Sequence, residues 1–235
     1  MGIRIPSKWN SSSYLFRSLR PVSHRKVSTK TAFNGENTID HCSSHKSHTS
    51  HHDLTSFLDY AARHQLDHKS TVYVGTHYEY TVQHAFERMG MSLKRVGGRD
   101  DYGTDIIGKW PVPSAPHPLK VLIQCKAHTG KVNPAHAREL EGAITSVPPT
   151  EGVSNLLCLL VSPNSASKGV RETLGRSRWP MGFVLCTTEG KILQMMWNKI
   201  AAEGNLVGIK CGLRFINGNF NQREVVLTWK GKALF

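Results

Sequence analysis

The chain has 235 residues, with 30 Lys and Arg against 17 Asp and Glu, a formal net charge of +13. That length suits one domain with a tail, and an excess of this size points to an anionic partner, an anionic membrane surface or a charge-read targeting signal. The longest apolar run, near residues 156–161, is far short of the ~20 residues a bilayer-spanning helix needs, and five scattered cysteines exclude a disulfide scaffold and a zinc ribbon.

Residues 1–35 carry Arg4, Lys8, Arg17, Arg20, Arg25, Lys26 and Lys30 and no acid; the first acid is Glu36. Serines recur, and Leu15 and Leu19 stand one helical turn apart with Arg17 and Arg20 off their stripe. An Arg-rich, Ser-rich, acid-free and weakly amphipathic start is the composition of an organelle transit peptide, with a disordered basic tail that touches nucleic acid as the alternative, and no continuous apolar stretch succeeds it as a secretory signal requires. Residues 36–70 read as a His/Ser-rich linker. His41, His45, His48, His51 and His52 lie among Ser, Thr and Lys, and no hydrophobic period fixes those imidazoles for a metal. From residue 53 to 66 a short helical pattern places Leu54, Phe57, Leu58, Ala61 and Ala62 on one side. This helix either docks on the domain C-terminal to it or frays.

The folded part is expected over residues 71–235, with a net charge of +8 remaining there. A helix is predicted over 77–89, where Tyr78, Val82, Ala85, Phe86 and Met89 form one face and Gly90 ends it. A strand over 92–96 leads through a glycine-rich turn to a second strand over 104–110. Four prolines break the next loop, and a third strand runs over 120–127. Asn133-Pro134 opens a helix reaching about residue 147, with Ala137, Leu140 and Ile144 as its buried stripe. The continuous apolar run 155–161 is a central strand buried on both faces. A helix over 165–176, strands or a strand and a helix over 182–187 and 192–197, and a strand over 224–229 complete the order. This sequence of elements predicts an α/β fold, a mixed sheet covered by helices.

Three polar residues gather candidate chemistry. Asp105 lies at the start of the second strand. Gln124 and Lys126 stand at i and i+2 on the third, so both point to one face. If the two strands are hairpin neighbours, Asp105 reaches the same patch. Magnesium takes hard oxygen ligands: Asp105 would supply the charge, with Gln124 and a backbone carbonyl as neutral ligands. Lys126 would orient or deprotonate a metal-adjacent water, or stabilise charge building on a phosphate. Glu79, on the first helix, would complete a first or second shell. Each also has a plainer reading. Asp105 can be a turn acid bonding backbone amides, Gln124 and Lys126 a solvated strand face, and Glu79 a surface partner of Arg88 or Lys94. Among the basic residues near the site, Arg95, Arg99, Lys131 and Arg138 are the candidate polynucleotide contacts, which would bind phosphates with little sequence preference. Arg138 and Glu141 can instead form an i, i+3 helix pair.

The segments Gly75-Thr76-His77-Tyr78-Glu79, Arg95-Val96-Gly97-Gly98-Arg99-Asp100-Asp101-Tyr102-Gly103-Thr104-Asp105, Ile123-Gln124-Cys125-Lys126 and Arg138-Glu139-Leu140-Glu141-Gly142 resemble a restriction-endonuclease-like domain of the Mrr branch, within the PD-(D/E)xK nuclease superfamily. With the basic leader, the chain resembles the fungal mitochondrial "required for respiratory growth protein 7" family. The resemblance covers roughly residues 70–235. It implies a restriction-endonuclease-like sheet and a Mg2+-dependent phosphodiesterase centre, with Asp105, Gln124 and Lys126 in the catalytic positions and Glu79 as the helix acid. Gln124 departs from the superfamily's usual acid and brings no charge, which lowers the expected metal affinity. The implied partner is nucleic acid, mitochondrial DNA first and RNA second, in the mitochondrial matrix, with no integral membrane segment. The alternative is a nuclease-fold module that binds nucleic acid or a protein without turnover.

Overall fold

The computed structural model describes residues 51–98, 103–127, 130–145, 155–216 and 219–234. The proposed leader and most of the His-rich tract, with His41, His45 and His48, lie outside them. Helix α1 (Leu54–Arg63) starts in a capping box: Asp53 Oδ1 accepts from Ser56 N at 2.7 Å, and Ser56 Oγ accepts from Asp53 N. Phe57 and Ala61 are buried, while Leu58 stays exposed, so the apolar stripe is narrower than the sequence suggests. Phe57 meets the rings of His51, Tyr73 and Tyr80, and His51 Nδ1 lies 2.8 Å from the Tyr80 hydroxyl. Burial, with Arg95 and His52 adding, holds His51 below the usual imidazole range. The helical pattern inside the expected linker is therefore docked, and the packed body begins before residue 71.

Helix α2 (Thr71–Glu87) begins six residues earlier than the apolar period predicts, because Ser70 caps it by accepting from Tyr73 N at 3.2 Å. Its stripe Tyr78, Val82, Ala85 and Phe86 is fully enclosed. It packs on one face of a six-stranded mixed sheet of order β1-β2-β3-β4-β5-β6. The strands are β1 (Ser92–Arg95), β2 (Ile106–Trp110), β3 (Leu119–Cys125), β4 (Leu156–Ser162), β5 (Met181–Cys186) and β6 (Ile192–Trp197). β1–β2, β2–β3 and β5–β6 are antiparallel; β3–β4 and β4–β5 are parallel. The parallel pairs need crossovers, and helices α3 (Pro134–Thr145) and α4 (Lys168–Arg176) supply them.

Period-two alternation in β3 divides the core. Val121 and Ile123 join Tyr78, Phe86 and Trp110 on the α2 side, and Leu122 packs with Leu140, Ile144 and Phe183 on the α3–α4 side. All seven residues of β4 are buried, as expected of a central parallel strand. Helix α5 (Lys199–Glu203) and a second antiparallel sheet come next: β7 (Ile209–Ile216), β8 (Asn219–Trp229) and β9 (Lys232–Ala233), in that order. The α/β class and the mixed sheet flanked by helices are those the sequence predicts. No helix among the described residues is long and apolar enough to cross a membrane.

Candidate active site

The candidate residues meet where β2 and β3 part. Asp105 is fixed on both sides by its backbone. Its N–H donates to Ile123 O at 3.0 Å, and its carbonyl accepts from Val96 N and Gly97 N at 2.8 and 2.9 Å. Before it, the chain turns away at Gly103 (φ +78°), a left-handed conformation that favours glycine; a Cβ there would also lie 3.4 Å from Gln124 Nε2. This turn takes the partner strand away from β3 one residue too soon for the Cys125 amide. Asp105 fills the gap: its Oδ2 accepts from Cys125 N at 2.6 Å. The backbone-bonding role foreseen for this acid is real, and it places the carboxylate beside the peptide on the C-terminal side of Gln124.

Gln124 is only 3% exposed, and its Oε1 is buried with no hydrogen-bond partner among the described residues. A buried amide oxygen left unpaired costs about 1–3 kcal/mol, so this atom requires an explanation, and a donor or cation from outside the chain is one. Gln124 is no solvated strand face. Lys126, two residues on, shows which way this face looks: its Nζ lies 3.2 Å from Glu139 Oε2 of α3. Its backbone N–H donates to Val161 O of β4 at 2.9 Å, so the root of the side chain is fixed. The sequence alone does not single out Glu139. Nothing in local spacing pairs a helix acid with a lysine thirteen residues upstream; only the placement of α3 against the end of β3 does so.

Glu79 comes from α2, on the other face of the sheet. Its Oε2 accepts from Arg95 Nε at 2.5 Å, both side chains largely enclosed, and the Arg95 guanidinium sits 5.4 Å from the centre of the Tyr80 ring. Arg95, expected among the phosphate contacts, is thus committed to Glu79. The charges of Asp105 and Glu79 both act on the buried Cys125 thiol. Burial chiefly pushes that thiol well above its usual range, and the charges of Asp105 and Glu79 add to the shift. Lys131 and Arg138 are exposed; Arg99 lies outside the described residues. Glu141 accepts from Ser177 Oγ at 2.7 Å, across to the end of α4.

Gly97 is the cradle of the Glu79 carboxylate, since a Cβ built on it would come within 2.9 Å of Oε2. Gly97→Ala is expected to push Glu79 off Arg95 and to cost about 1–2 kcal/mol, the overpacking range. Thermal denaturation checks this, and an unchanged midpoint would show that the ion pair absorbs the methyl group.

No group of three or more His, Cys, Asp or Glu side chains able to hold a metal occurs among the described residues. The oxygens present still suit magnesium, which needs only one or two carboxylates and otherwise uses water and substrate phosphate. Asp105 brings the charge and the orphaned Gln124 Oε1 a neutral donor. That donor set is a weak one in the absence of a phosphate.

A family model described as "Required for respiratory growth protein 7" matches residues 70–117 and 111–210. Among similar curated proteins, an uncharacterised mitochondrial protein of Schizosaccharomyces pombe is 31% identical over 152 residues, covering 63% of this chain and 60% of the relative. Mitochondrial proteins named required for respiratory growth protein 7 are 31% identical in Zygosaccharomyces rouxii (55% of this chain, 70% of the relative) and 30% identical in Saccharomyces cerevisiae (49% and 65%). The chain thus spans about 60–65% of the length of the S. pombe and S. cerevisiae relatives. Among solved structures, the restriction endonuclease FokI is similar over 58% of this chain and 25% of its own, at 14% identity and a TM-score of 0.38. The restriction endonuclease MspJI is similar over 55% and 28%, at 14% identity and a TM-score of 0.31. Matched across more than half its length by the family model, the chain belongs to the required for respiratory growth protein 7 family.

Proposed function

We propose that this chain works on polynucleotides in the mitochondrion, and that the corner formed by Asp105, Gln124 and Lys126 receives a phosphodiester together with a divalent cation. The orphaned, buried Oε1 of Gln124, with the Asp105 carboxylate anchored on the adjacent Cys125 N–H, is the observation that carries this reading. A bound Mg2+ would supply Lewis-acid polarisation of the phosphate and a more acidic water. Asp105 and Gln124 would hold that ion, the Asp105 carboxylate being already fixed by the Cys125 N–H. Lys126 presents an ammonium to a non-bridging phosphate oxygen, where it offsets charge that builds during hydrolysis. Lys131 and Arg138, both exposed, add phosphate contacts outside the corner. DNA is the favoured substrate, with RNA as the alternative. The mitochondrial setting is supported by the acid-free leader and by the names of the relatives.

A second reading, binding without turnover, is favoured by one observation: Glu79 and Lys126 are both held in ion pairs within the chain. Incubating the purified chain with plasmid and Mg2+ or Mn2+, beside an Asp105→Asn/Lys126→Ala variant, separates the two. Metal-dependent cleavage by the native chain alone is the expected result. Salt-dependent binding without cleavage would establish the second reading, and cleavage that persists in the variant would remove the corner from the chemistry.

A further inference from the structure

The Lys126–Glu139 contact has the properties of a displaceable latch. Its two backbones are rigid. Lys126 is hydrogen-bonded through its N–H to β4, and α3 is anchored by the buried Ala137, Leu140 and Ile144. Asn133 Oδ1, accepting from Ala135 N at 2.8 Å, caps the first turn of α3. The two charged ends, by contrast, meet at the mouth of the corner: the Lys126 side chain is 25% exposed and that of Glu139 51%. Ion pairs this open to solvent are weak and screened by salt, so an incoming anion can replace the carboxylate without paying for a buried charge. A carboxylate and a phosphodiester offer an ammonium the same kind of acceptor, an anionic oxygen. Glu141, one half-turn away on the same helix, is bonded by Ser177 Oγ and belongs to the packing between helices. Glu139 instead points its carboxylate at Lys126, across the corner.

We propose that Glu139 is an internal counter-ion that occupies the phosphate position on Lys126 until a phosphodiester displaces it, and that this exchange sets the affinity of the site for polynucleotide. The inference rests on the reading that the corner receives a phosphodiester, and it does not require turnover. Glu139 acts through Lys126 and is a positioning residue. Removing its charge frees one cation for the backbone and deletes one anion from its path.

The test is a double-mutant cycle on binding. A fluorescently labelled DNA duplex is titrated with the full chain in EDTA, so that cleavage does not intrude, and anisotropy is read over a range of salt. Glu139→Gln is expected to tighten binding about two- to fivefold and to steepen the dependence of log K on log salt by about one phosphate contact. In a Lys126→Ala background only the removal of the anion remains, so the gain is expected to be clearly smaller. An equal gain in both backgrounds would reduce Glu139 to an ordinary surface charge and overturn the latch. So would binding that weakens in Lys126→Ala yet is unchanged in Glu139→Gln. If none of the four proteins binds DNA or a matched RNA, the phosphodiester reading itself fails and takes the latch with it.

Discussion

Asp105→Asn is expected to lower metal-dependent phosphodiester cleavage by about a thousandfold while leaving the fold and its thermal midpoint nearly unchanged. The separation rests on the structural work of the Asp105 carboxylate. Its Oδ2 accepts from Cys125 N at 2.6 Å, in place of the backbone acceptor lost when the chain turns at Gly103. Asparagine keeps a side-chain oxygen for that amide, while it loses the charge and turns the second oxygen into an NH2 donor. Deleting one preorganised electrostatic stabiliser typically costs ~10²–10³ in rate, and here the deleted charge is also the one the cation needs. Asp105→Ala is the less informative variant. It leaves the Cys125 N–H unpaired, which costs about 1–3 kcal/mol in a buried setting, so lost activity and lost structure would be confounded. Initial rates on plasmid and thermal melts of the same samples make the comparison. A parallel fall of activity and melting temperature in Asp105→Asn would place the residue in the scaffold only.

Trp110→Ala is expected to destabilise the folded body by about 3–5 kcal/mol, a shift in midpoint on the order of 10 °C for a body of this size. Trp110 is fully buried at the end of β2, opposite Leu119 of β3. Its Nε1 donates to Met89 O at 3.1 Å, just past the end of α2. One side chain therefore joins the helix that carries Glu79 to the strand that begins after Asp105. Its removal opens a large cavity, and the Met89 carbonyl loses its partner. Phe at this position fills most of the space without the N–H, so Trp110→Phe is expected to cost clearly less. Denaturant titration of both variants checks the order; equal losses would show that the hydrogen bond outweighs the volume.

Periodicity made the core elements legible. The stripe Tyr78, Val82, Ala85 and Phe86, the apolar run of β4 and the Asn133-Pro134 start of α3 each announce one element, because burial on one side or on both leaves a fixed spacing. The start of α2 was less legible, since capping by Ser70 and not an apolar residue decides it. β7 shows why the rest was harder. Cys211, Leu213 and Phe215 alternate with Lys210, Gly212 and Arg214 as strand residues do, yet all of residues 211–215 remain exposed, so only pairing with β8 defines the strand. At the site, residue types and strand spacing singled out Asp105, Gln124 and Lys126. The tertiary pairings were beyond their reach. Glu79 with Arg95 crosses from α2 to β1, and Lys126 with Glu139 from β3 to α3. Each pairing changes how the residue can act: Arg95 is occupied by an internal acid, and Lys126 must exchange one.

Whether Asp105 and Gln124 hold a cation can be measured without any assumption about substrate. Mn2+ is titrated into the full chain and the free ion followed by electron paramagnetic resonance, beside Asp105→Asn and Gln124→Leu. Gln124→Leu replaces the orphaned oxygen with apolar volume, so it is expected to fold at least as well as the native chain. One bound ion is expected in the native chain, lost in Asp105→Asn and weakened in Gln124→Leu. Equal Mn2+ binding by all three proteins would remove the cation from this corner, and with it the chemistry proposed for Asp105 and Gln124.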